Sequence, residues 1–150
     1  MDYQKGKPVM KKTIFILSVL MLIFIFIPGW STASDDYRFI TAKDLNDRIN
    51  SENSPTIIDI CTVEQYTAGH IKGAIETNAY PVKTDAEKAK LAEQLPMLKS
   101  SEDAVVIVCP RGAGGAKRTY DFYKSFGIDE NRLYILENGM DGWPFESENK

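Results

Sequence analysis

The chain predicts an α/β domain whose mostly parallel sheet is covered by helices on both faces. Two observations carry this. Short, continuously apolar runs such as Thr56–Ile60 and Ala104–Val108 are too short for surface helices and fit strands buried on both sides. Between them lie segments with helical spacing and helix-start signals, the alternation that builds strand–helix–strand units. Ligands of such sheets bind beyond the carboxyl ends of the strands, which directs attention to the residues that follow each apolar run.

Taken in order, Phe39-Ile40 predicts a short edge strand. Thr41, with Asp44 three residues on, resembles a capping box ahead of a helix that carries Leu45 and Ile49 on one face. Thr56–Ile60 is the first central strand, and Thr62 with Gln65 starts the next helix. Ala74-Ile75-Glu76 is a weaker strand, and Thr84 with Glu87 opens a helix with Ala89, Ala92 and Leu95. Ala104–Val108 is the most hydrophobic strand. It leads into a helix over Ala116–Phe126 with Ala116, Thr119, Tyr120, Tyr123 and Phe126 along one stripe and Gly127 as a left-handed stop. Leu133–Leu136 is the last strand, and the polar Glu146–Lys150 reads as a frayed tail.

The amino terminus has a different character. Lys11 and Lys12 precede fifteen uncharged, mostly apolar residues, 13–27, followed by Pro28-Gly29 and the small residues Ser31-Thr32-Ala33. This is the pattern of a signal peptide over residues 1–33 with cleavage after Ala33. Fifteen helical residues span roughly 22 Å, short of a ~30 Å hydrocarbon core. An uncleaved tether through 13–27 is the alternative. Either way the single domain, 34–150, is expected outside the cytoplasm, periplasmic or secreted, or anchored to the outer face of the inner membrane.

Residues 1–33 hold four lysines and one aspartate, which leaves 14 basic and 20 acidic residues from Ser34 onward, a net charge of −6. Such an acidic domain is no candidate for nucleic-acid binding. Two cysteines and one histidine cannot build a four-ligand structural zinc site, and no cluster implies a metal or organic cofactor.

The chemistry concentrates at Cys109, directly after the most hydrophobic strand. Pro110-Arg111-Gly112-Ala113-Gly114-Gly115 follows, then a helix. Three glycines in four residues let the backbone curl and turn successive amides toward one point, an anion-binding nest. The helix adds its unpaired first-turn amides and the positive end of its dipole, and Arg111, Lys117 and Arg118 add full charges. Surroundings of this kind lower a thiol's pKa and make it a nucleophile, whereas the commoner fate of a lone cysteine is to be buried and inert. Two other anion loops do not fit. A cysteine phosphatase has an arginine six positions after its cysteine, where Gly115 stands, and a nucleotide P-loop closes with Gly-Lys-Ser/Thr, where Ala116-Lys117-Arg118 stands.

At this point the sequence resembles the rhodanese-like domains, the single-domain sulfurtransferases. The likeness begins at Ile57-Ile58-Asp59-Ile60-Cys61-Thr62 and runs through Glu64-Gln65-Tyr66 and Ala68-Gly69-His70-Ile71-Lys72-Gly73-Ala74-Ile75. It resumes at Val105–Cys109 with its loop, and closes at Leu136-Glu137-Asn138-Gly139-Met140-Asp141-Gly142-Trp143-Pro144. The resemblance implies a five-stranded parallel sheet and a Cys109 that carries sulfur as a persulfide. Its donor would be thiosulfate or another small anionic sulfane-sulfur compound, and its acceptor cyanide or a thiol. Cys109–Gly114 has the length of the short sulfurtransferase loop. Arg111 and the backbone of Gly112, Ala113, Gly114 and Gly115 are the expected anion-binding groups. Three departures bear on substrate preference: Cys61 where family members often carry arginine, Gly114 where a second loop arginine is common, and Pro110, which lacks an amide donor.

His70 is expected to be structural, since sulfur transfer through an ionised thiol needs little proton transfer. Asp59 is expected to organise loops. In the implied fold Cys61 and Cys109 end neighbouring strands, ~4.8 Å apart, within the ~4.4–6.8 Å that disulfide Cα pairs span. Cys61 is therefore a candidate resolving thiol, or it merely fills the space of the missing arginine. Three functions compete at this stage: sulfur transfer, a catalytically silent binding module, and thiol–disulfide exchange by Cys61 and Cys109.

Overall fold

The computed structural model describes residues 36–150. The expected signal segment, 1–33, lies outside them. Five strands, β1 (Phe39–Ile40), β2 (Thr56–Asp59), β3 (Ile75–Glu76), β4 (Val105–Val108) and β5 (Leu133–Leu136), form one sheet in the order β1-β5-β4-β2-β3. Every pairing in it is parallel. Phe39-Ile40 is an edge strand, and the most hydrophobic run is the central one.

The helices divide between the two faces. Val105 and Ile107 of β4 point with Ile58, Leu133 and Ile135 into a core closed by α3 (Asp85–Ala92), α4 (Leu95–Ser100) and α5 (Gly114–Ser125) through Leu91, Leu98, Ala116, Tyr120 and Tyr123. Val106 and Val108 point the other way with Ile57 and Leu136, against Leu45 of α1 (Ala42–Ile49) and Tyr66 of α2 (Val63–Ala68). All four β4 residues are buried, which is why the strand reads as an unbroken apolar run. Each such side chain contributes roughly 1.5–3 kcal/mol of burial.

Capping sets the helix starts. Thr62 with Gln65, and Thr84 with Glu87, form full capping boxes on α2 and α3. Thr41 accepts the Asp44 amide at 3.0 Å without the return bond. An aspartate side chain is one methylene shorter than the glutamate or glutamine that normally reaches back.

The structure corrects the expected helix faces in three places. In α3 the buried residue is Leu91, while Ala89 is exposed, and a separate helix, α4, follows with Pro96 in its first turn. Phe126, expected on the core stripe of α5, is 48% exposed, because the helix ends at Ser125 and the chain leaves through Gly127 at φ +86°. Helix α5 also starts earlier than expected, at Gly114, so the last two loop glycines form its first turn.

The tail is tied down, contrary to expectation. His70 and Glu148 exchange both backbone bonds at 2.9 Å in an antiparallel bridge, and the Lys150 amide donates to Thr67 O at 3.3 Å. The Lys150 ammonium pairs with Glu76 at 2.5 Å, and the Trp143 indole donates to Glu146 O at 3.2 Å. Polar composition signals solvent exposure; here the backbone nonetheless finds acceptors at His70 and at Thr67 of α2.

Candidate active site

Helix α5 receives the chain from the end of β4 through one tight turn, and Cys109 is its first residue. By strand alternation Cys109 follows Val105 and Ile107 into the α5 side of the sheet, where it is 1% exposed. The turn runs through Gly112 at φ +63°, a conformation that favours glycine. A side chain there would also lie 2.6 Å from Leu136 O. The first backbone bond of α5 runs from the Lys117 amide to Ala113 O, at 3.2 Å. Among the described residues, the amides of Arg111, Gly112, Ala113, Gly114, Gly115 and Ala116 donate to no protein acceptor. Six consecutive free donors at the start of a twelve-residue helix are the makings of an anion site.

A second loop holds this one in place. After β5 the chain turns through Asn138 at φ +59° and Gly139 at φ +58° into a 3-10 turn, Met140–Gly142. Met140 and Asp141 donate their amides to Cys109 O and Pro110 O, both at 2.9 Å. Gly139 lies so close that a Cβ on it would stand 2.0 Å from Cys109 O and 2.6 Å from the amide nitrogens of Arg111 and Gly112. The carbonyls of Cys109 and Pro110 are thus held by the second loop, while the loop amides keep no protein acceptor.

The three nearby cations have different employment. Arg118 donates from Nε to Pro81 O and Val82 O at 3.0 and 3.1 Å, and from a terminal nitrogen to Pro81 O at 2.7 Å. It is a clamp on the segment that carries the cis Tyr80–Pro81 bond. Lys117 lies 4.9 Å from the centroid of the Tyr37 ring. Arg111 is exposed and has no carboxylate partner among the described residues.

Cys61 and Cys109 point to opposite faces of the sheet. The register pairs Asp59 with Val108, so Ile60 lies opposite Cys109 and both join the same core face. Cys61, one residue on, turns to the other face, beside a cavity of about 300 Å³ that it lines with Gln65, Pro110, Met140 and Asp141. Both thiols are free. Burial pushes the Cys61 thiol up, and the Asp59 carboxylate raises it further, with Cys109 and Asp141 adding to the effect. A thiol held protonated is a poor resolving nucleophile.

Asp59 accepts the Cys61 amide on Oδ1 at 2.8 Å, while its buried Oδ2 has no partner. Burial raises its pKa, against the opposing pull of the Cys61 hydrogen bonds and of His70. His70 is structural, as expected. Its Nδ1 lies 2.9 Å from Tyr66 O, which makes that nitrogen the donor, and its ring stacks on Tyr66 at 3.9 Å.

With this geometry in hand, the family model of the rhodanese-like domain matches residues 41–145. The chain belongs to the rhodanese-like domain family. It is 25% identical over 131 residues to an uncharacterized protein of Buchnera aphidicola, covering 87% of this chain and 81% of that one. It superposes on a rhodanese-like domain protein from Staphylococcus aureus with a TM-score of 0.55 at 25% identity, over 75% of this chain and 98% of that one. A thiosulfate sulfurtransferase from Pseudomonas aeruginosa shares the fold at 15% identity and TM-score 0.57, over 75% of this chain and 19% of the larger one.

Within this rhodanese-like domain, Cys109, Arg111 and Gly112–Gly115 lie together at the carboxyl end of β4, and Cys61 lines a cavity on the other side of the loop with Pro110. Three contacts around the site were not read from the sequence, which offered Arg118 only as a charge at the loop. Gly139 and its turn buttress the loop, Arg118 clamps the segment after β3, and Tyr80 packs its ring against Gly115. The paired glycines Gly112 and Gly139 carried a signal, since each sits where a turn demands a positive φ. The other two depend on contacts that spacing does not encode.

Proposed function

We propose that this rhodanese-like domain is a sulfurtransferase that carries sulfane sulfur on Cys109. The observation that supports this most is the row of free amides from Arg111 to Ala116 immediately after that cysteine. In the proposed cycle the Cys109 thiolate attacks the outer sulfur of thiosulfate or a similar anionic donor. The donor's S–S bond breaks, and sulfite leaves with its electron pair. The persulfide so formed is then attacked at its terminal sulfur by cyanide or a thiol, and Cys109 is released as thiolate. Donor, leaving group and persulfide are all anionic, so the amides and Arg111 stabilise each of them. No step needs a general base, consistent with the structural employment of His70.

The domain works outside the cytoplasm in this reading, periplasmic or secreted, with residues 13–27 as signal core or tether. Sequencing the amino terminus of the purified protein distinguishes Ser34 from an uncleaved start. The transferase reading is tested by following thiocyanate formation from thiosulfate and cyanide. Wild type and Cys61→Ser are expected to turn over and Cys109→Ser is not. Equal rates for Cys109→Ser contradict the role of Cys109, and no transfer by wild type with thiosulfate or polysulfide contradicts the transferase reading and favours a non-catalytic binding module.

A further inference from the structure

Tyr80 stands beside the Cys109 site without having been assigned any part in it. Its amide donates to Ile60 O at 2.8 Å, and Ile60 in turn donates to Val108 O at 2.9 Å, so Tyr80 rides on the strand end next to Cys109. A Cβ at Gly115 would stand 3.0 Å from both Cδ2 and Cε2 of the Tyr80 ring and 3.2 Å from Ile60 Cδ1. The ring therefore occupies the space that a side chain on the first turn of α5 would fill. Cε2 is bonded to the carbon that bears the hydroxyl, so the phenol group lies beside Gly115 in the first turn of α5. Tyr80 is partly exposed, and its hydroxyl has no protein partner among the described residues. The two residues that follow it are held by three bonds from Arg118 to the carbonyls of Pro81 and Val82.

We propose that Tyr80 is a specificity-determining residue of the site, its hydroxyl donating to the oxyanion end of a bound donor such as thiosulfate, with Arg118 as the residue that positions it. This rests on the sulfur-transfer reading and adds to it the group that recognises the part of the donor left behind as sulfite. The amides and Arg111 offer charge to any small anion, whereas a neutral hydroxyl at a fixed place selects a shape.

The test separates binding from turnover. Thiosulfate affinity is measured by calorimetry on Cys109→Ser, which binds without reacting, and on the same protein carrying Tyr80→Phe or Arg118→Lys. Tyr80→Phe keeps the ring and is expected to weaken binding about tenfold. Arg118→Lys keeps the charge but loses the fork of donors, and is expected to weaken binding to a similar degree. In the Cys109-containing enzyme, Tyr80→Phe is expected to raise KM for thiosulfate with kcat within about twofold. Equal affinity with and without the hydroxyl, or no thiosulfate binding at all, overturns the proposal. Binding that depends on Tyr80 in a protein that never forms a persulfide would uphold this inference and sink the transferase reading instead.

Discussion

Gly139 has no room for a side chain, and the reason lies thirty positions earlier in the chain. Its α-carbon faces the carbonyl of Cys109 at a spacing that would put a Cβ 2.0 Å from that oxygen, and its φ of +58° is itself costly for any other residue. Gly139→Ala is expected to lose at least about 2 kcal/mol of stability, read from the urea midpoint, because strain and clash add. A loss below ~0.5 kcal/mol would mean that the two loops are not held as described. Asp59 makes a second prediction at this scale. Burial raises its folded-state pKa above the unfolded value, so the folded state binds the proton more tightly. Stability from this group is then gained as pH falls through the raised pKa, and at neutral pH the buried carboxylate is a liability. The stability difference between Asp59→Asn and wild type should favour the variant most at neutral pH. It should shrink as pH is lowered toward the ordinary carboxylate range. A gap that widens on acidification would reverse the assignment.

At the scale of elements, the capping boxes and β4 were legible because each is a local pattern. Thr62 and Gln65 are three residues apart, and the four residues of β4 are all buried. The opposite-face placement of Cys61 was not legible. It follows from period-two alternation counted from the Asp59–Val108 register, and one chain's sequence does not state its register. The pairing of the carboxy-terminal strap was not legible for a related reason. Its composition is that of a loose end, and only the long-range bridge between His70 and Glu148 shows that it is paired. Deleting residues 146–150 removes that bridge, together with the Lys150–Glu76 ion pair. A loss of about 1–2 kcal/mol is expected from the two backbone bonds alone, with faster amide exchange at His70. Unchanged stability and unchanged exchange at His70 would show that the strap contributes nothing.

At the scale of the molecule, the fold puts Cys109 at the turn that feeds one helix. A parallel sheet sends β4 and β2 to the same end, α5 begins there, and the turn after β5 closes behind the Cys109 loop. The strand–helix alternation and the glycines after Cys109 announced that arrangement in the sequence. The second loop and the Arg118 clamp did not, because both join segments some thirty or more residues apart. Strand alternation turns Cys61 away from the core face that Cys109 joins, and the transferase reading uses Cys109 alone. Intact-mass measurement after incubation with thiosulfate or polysulfide tests this most directly. The account predicts a gain of one sulfur atom in wild type and in Cys61→Ser, and none in Cys109→Ser. An adduct that persists in Cys109→Ser, or a loss of two hydrogens that requires both cysteines, would contradict it.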